Sequence, residues 1–163
     1  MMRRLLAEFI GSLLLAGTVI GSGIMASRLA GGNDGVALLA NTAATAGILF
    51  ALIATLAPVS GAHFNPAVTL ALAIRREIGP AVAALYVPAQ VLGCVAGAVL
   101  AHAMFELPLL QTASVARAGG AQMLSEGVAT FANSRPSPSP SRPAIGGRPQ
   151  PRSLTRPSPL PAP

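Results

Sequence analysis

Apolar residues run through this chain in blocks too long for a soluble core, broken by short polar or Gly/Pro-containing stretches. The first block covers residues 5–29, and only Glu8 and Arg28 interrupt it with charge. At about 1.5 Å of rise per residue it can cross a hydrocarbon core of about 30 Å. Gly31-Gly32-Asn33-Asp34-Gly35 then reads as a loop. The second block, residues 36–57, carries no charge and is closed by Pro58 to Ser60. The third covers residues 80–105. Three membrane-spanning helices are therefore predicted. A basic start before an apolar run also suits a signal peptide, but this run exceeds the usual length of about 7–15 residues, and further spans come after it.

Between the second and third spans lies a different kind of element. Asn65 is suited to capping the orphan amides of a helix start, and Pro66 suits the first helical position. The apolar stretch after them, residues 67–74, makes about two turns before Arg75 and Arg76 stop it. That is too short to span, so a re-entrant half-helix is predicted. The polar, Gly-containing loop before it needs shelter from lipid, in protein or beside a wet cavity. This is the first place to look for a pore. A loop over residues 106–120 comes next, and a fourth apolar run begins near residue 121 and is lost by 133. Residues 121–132 give only about 18 Å of helix, short of a full crossing.

Small residues recur every four positions in two spans: Ala89, Gly93, Gly97 and Ala101 in the third, Gly17 and Gly21 in the first. That spacing lets helix backbones approach closely. An internal echo pairs Glu8-Phe9-Ile10-Gly11-Ser12-Leu13 with Glu126-Gly127-Val128-Ala129-Thr130-Phe131, at the openings of the first and fourth runs. A repeat unit of three spans plus a half-helix would place its second copy in the opposite topology, the plan of inverted repeats. With the N-terminus inside, Arg3, Arg4, Arg75 and Arg76 are cytoplasmic while Arg28 and Arg117 are outside. The positive-inside rule favours that orientation, with the half-helix dipping in from the cytoplasmic side.

Composition sharpens the boundary between the apolar part and the end of the chain. Of 163 residues 52% are hydrophobic and 10% charged, against about 25% charged in ordinary soluble domains. The net charge of +6 belongs largely to the last thirty or so residues, where Arg135, Arg142, Arg148, Arg152 and Arg156 lie. Residues 132–163 contain ten of the fifteen prolines and no aromatic residue. A nucleic-acid reading of the basic charge is set aside, since nothing there can stack on a base. Residues 1–131 are thus read as a membrane domain and 132–163 as a disordered Pro/Ser/Arg tail, its abrupt onset suggesting an altered reading frame or a truncated gene. Such a tail can also bind proline-recognising domains. Cys94, the one cysteine, excludes an internal disulfide and reads as a small core residue. No nucleophile–base pair, phosphate loop or metal cluster stands out, so neither an enzyme nor a metal or other cofactor is expected.

Ser60-Gly61-Ala62-His63-Phe64-Asn65-Pro66-Ala67-Val68-Thr69, with Ala7-Glu8-Phe9 in the first span and Ala89-Gln90 in the third, resembles the aquaporin and aquaglyceroporin family, the major intrinsic proteins. The resemblance covers residues 3–131, about four-fifths of the chain. It implies an all-α membrane fold: the N-terminal half of an aquaporin-type right-handed bundle, with three spans, one half-helix and an incomplete fourth span. It also implies passive conduction of water or small neutral solutes, in an integral protein of the inner or plasma membrane. By resemblance Asn65 donates from its amide to a passing water or hydroxyl. The half-helix that opens at Asn65, Pro66 and Ala67 repels cations with its positive end. Carbonyls of Gly61, Ala62, His63 and Phe64 form an acceptor ladder, and Val68 offers an apolar wall. Glu8 braces the re-entrant loop, and Gln90 and Glu126 match other polar core positions. His63 reads as a hydrogen-bonded pore or loop residue rather than a metal ligand. Thr45, about twenty positions before Asn65, falls at the outer constriction, where strict water channels carry a bulky aromatic; threonine there leaves room for small neutral solutes.

The chain departs from the family pattern in carrying one Asn-Pro-Ala motif rather than two, without the selectivity arginine that comes after the second. One half-pore is expected, and two alternatives stand beside a conducting channel. One is a truncated, non-conducting fragment, or a subunit that associates with intact channels, which are tetramers in this family. The other is a different membrane protein, a small transporter or anchor with a chance Asn-Pro-Ala, whose spans would not order around residues 58–66.

Overall fold

A computed structural model describes residues 1–111, 119–120, 124–125 and 128. Its elements are α1 (Met2–Leu29), α2 (Asp34–Ser60), α3 (Pro66–Ile74) and α4 (Pro80–Met104). All are helices, and α1, α2 and α4 are long and apolar enough to cross a membrane. With 9 residues, α3 is too short to do so. The predicted all-α architecture of three spans and one short helix is therefore found. Glu126, the 131/132 boundary, most of the fourth apolar run and all of residues 132–163 lie outside the described residues.

Local chemistry moves several predicted boundaries. α1 starts at Met2 rather than near residue 5, because Arg3 and Arg4 are good helix formers; Arg4 and Leu5 already donate to the Met1 carbonyl at 3.0 and 3.2 Å. α2 takes in Asp34, since the Asn33 side chain accepts the Val36 amide at 3.1 Å and an acidic residue suits the first turn. The same helix runs through Pro58 to Ser60 instead of stopping near residue 57. A proline removes one backbone donor, and in an apolar surrounding no water competes for the remaining bonds. Pro88 is carried inside α4 in the same way. Gly61 ends α2 with φ 96°, in the left-handed region that glycine favours, its N–H donating to the Ala57 carbonyl at 3.0 Å. Arg76 ends α3 likewise at φ 60°, with Arg76 N–H on Ala73 and Glu77 N–H on Leu72. An exposed Arg75–Glu77 ion pair at 2.7 Å adds little there.

The core sits between α1 and α4. Gly93 lies so close to the Phe9 carbonyl, and Gly97 to the Leu13 carbonyl, that a Cβ on either would collide with the α1 backbone. Gly17 faces Gly97 from the other side, where a Cβ would stand at 3.4 Å from the Gly97 carbonyl oxygen. The predicted small-residue face is thus the α1–α4 seam, with Gly93, Gly97 and Ala101 buried; Ala89 is only half-buried at its edge. At the far end Arg28 lays its guanidinium 5.3 Å from the Phe105 ring centroid and donates to the Phe105 carbonyl. α2 packs on α1, with Ser22 and Asn41 2.7 Å apart, and α3 packs on α4. Leu52 alone on α2 is buried, so most of that helix presents bare apolar surface.

Candidate functional site

The loop that joins α2 to α3 cannot hold itself. It is five residues long, and Ala62 and Phe64 stand at φ 53° and 49°, left-handed conformations that cost a non-glycine residue roughly 1–2 kcal/mol each. The surrounding helices stabilise it. Glu8, wholly buried on α1, accepts four hydrogen bonds with one carboxylate. Oε1 takes the Ser60 hydroxyl at 2.6 Å and the His63 amide at 3.1 Å. Oε2 takes the Phe64 amide at 2.8 Å and the Gln90 side-chain amide at 2.7 Å. A carboxylate offers about four lone-pair sites, so this one is saturated. That is the condition under which a buried charge is tolerated.

Three further contacts complete the frame. Gln90 donates also to Thr69 Oγ1 at 2.8 Å, and Thr69 Oγ1 lies 3.1 Å from His63 Nδ1. The Tyr86 hydroxyl donates to the Ser60 carbonyl at 2.9 Å, satisfying an orphan acceptor at the end of α2. The His63 ring stands edge-on to Tyr86, centroids 5.4 Å apart. The Phe64 ring, 2% exposed, fills the notch left by Gly11 on α1, where a Cβ would overlap it.

With the loop so held, Gly61 and Asn65 at its two ends stay exposed. Asn65 Oδ1 accepts the Ala67 amide at 2.8 Å, which directs the oxygen inward and leaves the NH2 of an exposed side chain free to donate. Among the described residues none donates to the carbonyls of Gly61, Ala62, His63 or Phe64, so these remain acceptors. Pro66 and Ala67 open α3, and Val68 is half-buried beside them. One short segment therefore offers a row of acceptors ending in a two-hydrogen donor at a helix N-terminus. That arrangement suits a molecule carrying both a lone pair and an O–H.

The structure gathers Glu8, Gly61, Ala62, His63, Phe64, Asn65, Pro66, Ala67, Val68 and Gln90 about this loop. Thr45 stands apart: it lies fifteen residues before the end of α2, about 22 Å along the helix, and donates to the Asn41 carbonyl of its own helix at 2.8 Å. Glu126 is outside the described residues. Sequence reasoning missed Tyr86, Thr69 and Gly11 as supports of the loop. The signal for Tyr86 was its being the one tyrosine of the chain, set in an apolar span.

Residues 1–133 match the family described as Major intrinsic protein. The chain is also 51% identical over 129 residues to Aquaglyceroporin AqpS of Rhizobium meliloti (strain 1021). That similarity takes in 79% of this chain and 55% of the relative, so the chain spans about half the length of the curated protein it matches.

Proposed function

This chain belongs to the major intrinsic protein family, and from that membership we propose that it supplies one half of a passive channel for water or small neutral solutes. The observation that carries the reading is the exposed Asn65 amide, held with its oxygen on Ala67 N–H and its NH2 open, at the end of the Gly61–Phe64 carbonyls. A solute hydroxyl or water would donate a hydrogen bond to a carbonyl and accept one from the Asn65 amide. The N-terminus of α3 would set a positive potential there, disfavouring cations and hydronium. Glu8 and Gln90 act as braces and touch no solute. Thr45 would border a separate, wider outer constriction, which favours small neutral solutes alongside water. In the membrane, Arg3, Arg4, Arg75 and Arg76 would face the cytoplasm.

A second reading is supported by the bare surface of α2. Here the chain alone does not conduct and instead associates with a complementary half or with intact channels. Stopped-flow light scattering on proteoliposomes separates the two. Water or glycerol permeability well above empty vesicles, and lowered by Asn65→Asp, supports the channel; permeability equal to empty vesicles leaves the non-conducting subunit.

A further inference from the structure

α1 is exposed unevenly along its length. Of residues 2–14, Met2, Arg3, Arg4, Leu6, Ile10 and Leu14 are exposed, while no residue from 15 to 24 is. Met2, Leu6, Ile10 and Leu14 follow one another every four positions, so they form one apolar stripe on the helix surface. Arg3 stands seven residues before Ile10 and eleven before Leu14, spacings that return to the same face at about 3.6 residues per turn. The stripe under this guanidinium is about 17 Å long at the rise of a helix. That is close to half of a hydrocarbon core about 30 Å thick, the depth of one leaflet. A partner helix crossing the membrane would need exposed surface over the whole span, and this face stops halfway.

Charge at the same end is unbalanced. α1 runs parallel to α4, with Gly93 against Phe9 and Gly97 against Leu13, so Arg76, four residues before Pro80, lies toward the same side of the membrane as Arg3 and Arg4. The carboxylates described at that end are Glu8 and Glu77. Glu8 is taken up by the loop and Gln90, and Glu77 by Arg75. α1 has no acidic residue in its first turn, and Arg3, Arg4 and Arg76 have no acceptor among the described residues. We propose that this face of α1 is a seat for an anionic phospholipid, its phosphate held by Arg3 and Arg4 and one acyl chain lying on Leu6, Ile10 and Leu14. Guanidinium donors match phosphate oxygens in pairs, and long side chains can carry them to headgroup level. Arg76 adds to the positive field at the same membrane face. Free phosphate would satisfy the arginines and leave the stripe bare. A zwitterionic lipid would cover the stripe but bring a second cation to the guanidiniums. An anionic lipid meets both demands. The seat is separate from the Gly61–Asn65 loop and requires no conduction.

The test is native mass spectrometry of the full chain released from a nonionic detergent, with dioleoylphosphatidylglycerol and dioleoylphosphatidylcholine supplied at equal concentration. The phosphatidylglycerol should bind more tightly. Arg3→Gln and Arg4→Gln should each weaken it by about fivefold, while Arg3→Lys with Arg4→Lys keeps most of the preference. Ile10→Asn should weaken it by about tenfold by interrupting the stripe. Arg28→Gln, at the far end of α1, should bind as the wild type does. Equal binding of the two lipids, or binding unmoved by Arg3→Gln and Arg4→Gln, would overturn the proposal. Displacement by excess inorganic phosphate, or indifference to Ile10→Asn, would also overturn it and mark an anion site without a lipid. A chain that dimerises and takes up neither lipid would assign the face to a second copy. The wild type must itself lose its preference as ammonium acetate is raised, because exposed charges are screened, so a poorly folding variant does not protect the proposal. Permeability of proteoliposomes bears on the channel reading alone.

Discussion

The amide of Phe64 donates to Oε2 of Glu8 at 2.8 Å, joining two residues 56 positions apart in the chain. This bond holds a residue in the left-handed region at the point where its ring drops into the Gly11 notch. Backbone strain, a buried charge and a close helix approach meet at one place, and each is tolerable only because of the others.

Replacing Glu8 tests that interdependence. In Glu8→Gln one carboxylate oxygen becomes an NH2 facing donors, and each donor left without an acceptor costs about 1–3 kcal/mol. We expect a clear fall in the thermal midpoint in detergent. It can be read by reaction of a thiol-reactive dye with Cys94, a half-buried free thiol.

Asn65→Asp should separate stability from conduction. Aspartate caps a helix about as well as asparagine, so the Ala67 amide keeps its acceptor and the midpoint should move by less than about 1 kcal/mol equivalent. The outward NH2 is lost and replaced by an acceptor. If the chain conducts, permeability in proteoliposomes falls while the melting curve stays in place. A large loss of stability would show that the amide is structural.

Phe64 and Gly11 should behave as a knob and its hole. Phe64→Ala empties a buried aromatic site, at about 3–5 kcal/mol. Gly11→Ala should destabilise by overpacking, about 1–3 kcal/mol. Combining Gly11→Ala with Phe64→Leu should recover part of the Gly11→Ala loss. Additive effects in the same dye assay would mean that the ring and the notch are not coupled.

The α1–α4 seam gives a graded series. Gly97→Ala and Gly93→Ala drive a methyl into the carbonyls of Leu13 and Phe9, and each should cost about 1–3 kcal/mol. Gly17→Ala meets its nearest atom at 3.4 Å, ordinary contact, and should cost less than either. Equal midpoints for all three would place the close approach elsewhere.

Much of this was legible without coordinates because the bilayer restricts the choices. A run of about twenty apolar residues has little alternative to a helix, as backbone groups in lipid must pair internally. Asn65-Pro66 marks a helix start because both residues act on their own neighbours. Gly93 and Gly97 announce a close contact by their spacing, although nothing in that spacing says that Phe9 and Leu13 lie across it. Pro58 misled in the other direction: a local rule for ending helices gave way to a span that keeps its remaining hydrogen bonds.

The order of residues was enough to define the spans, the half-helix and the polar loop and, through resemblance, to propose roles for Asn65 and Glu8. What those residues touch is a property of the folded chain. That Glu8 divides its two oxygens among Ser60, His63, Phe64 and Gln90, and that Tyr86 closes α2 from α4, depends on three helices converging on one loop. The run of contacts Glu8–Gln90–Thr69–His63 likewise joins α1, α4, α3 and the loop in a way that the order of residues does not announce.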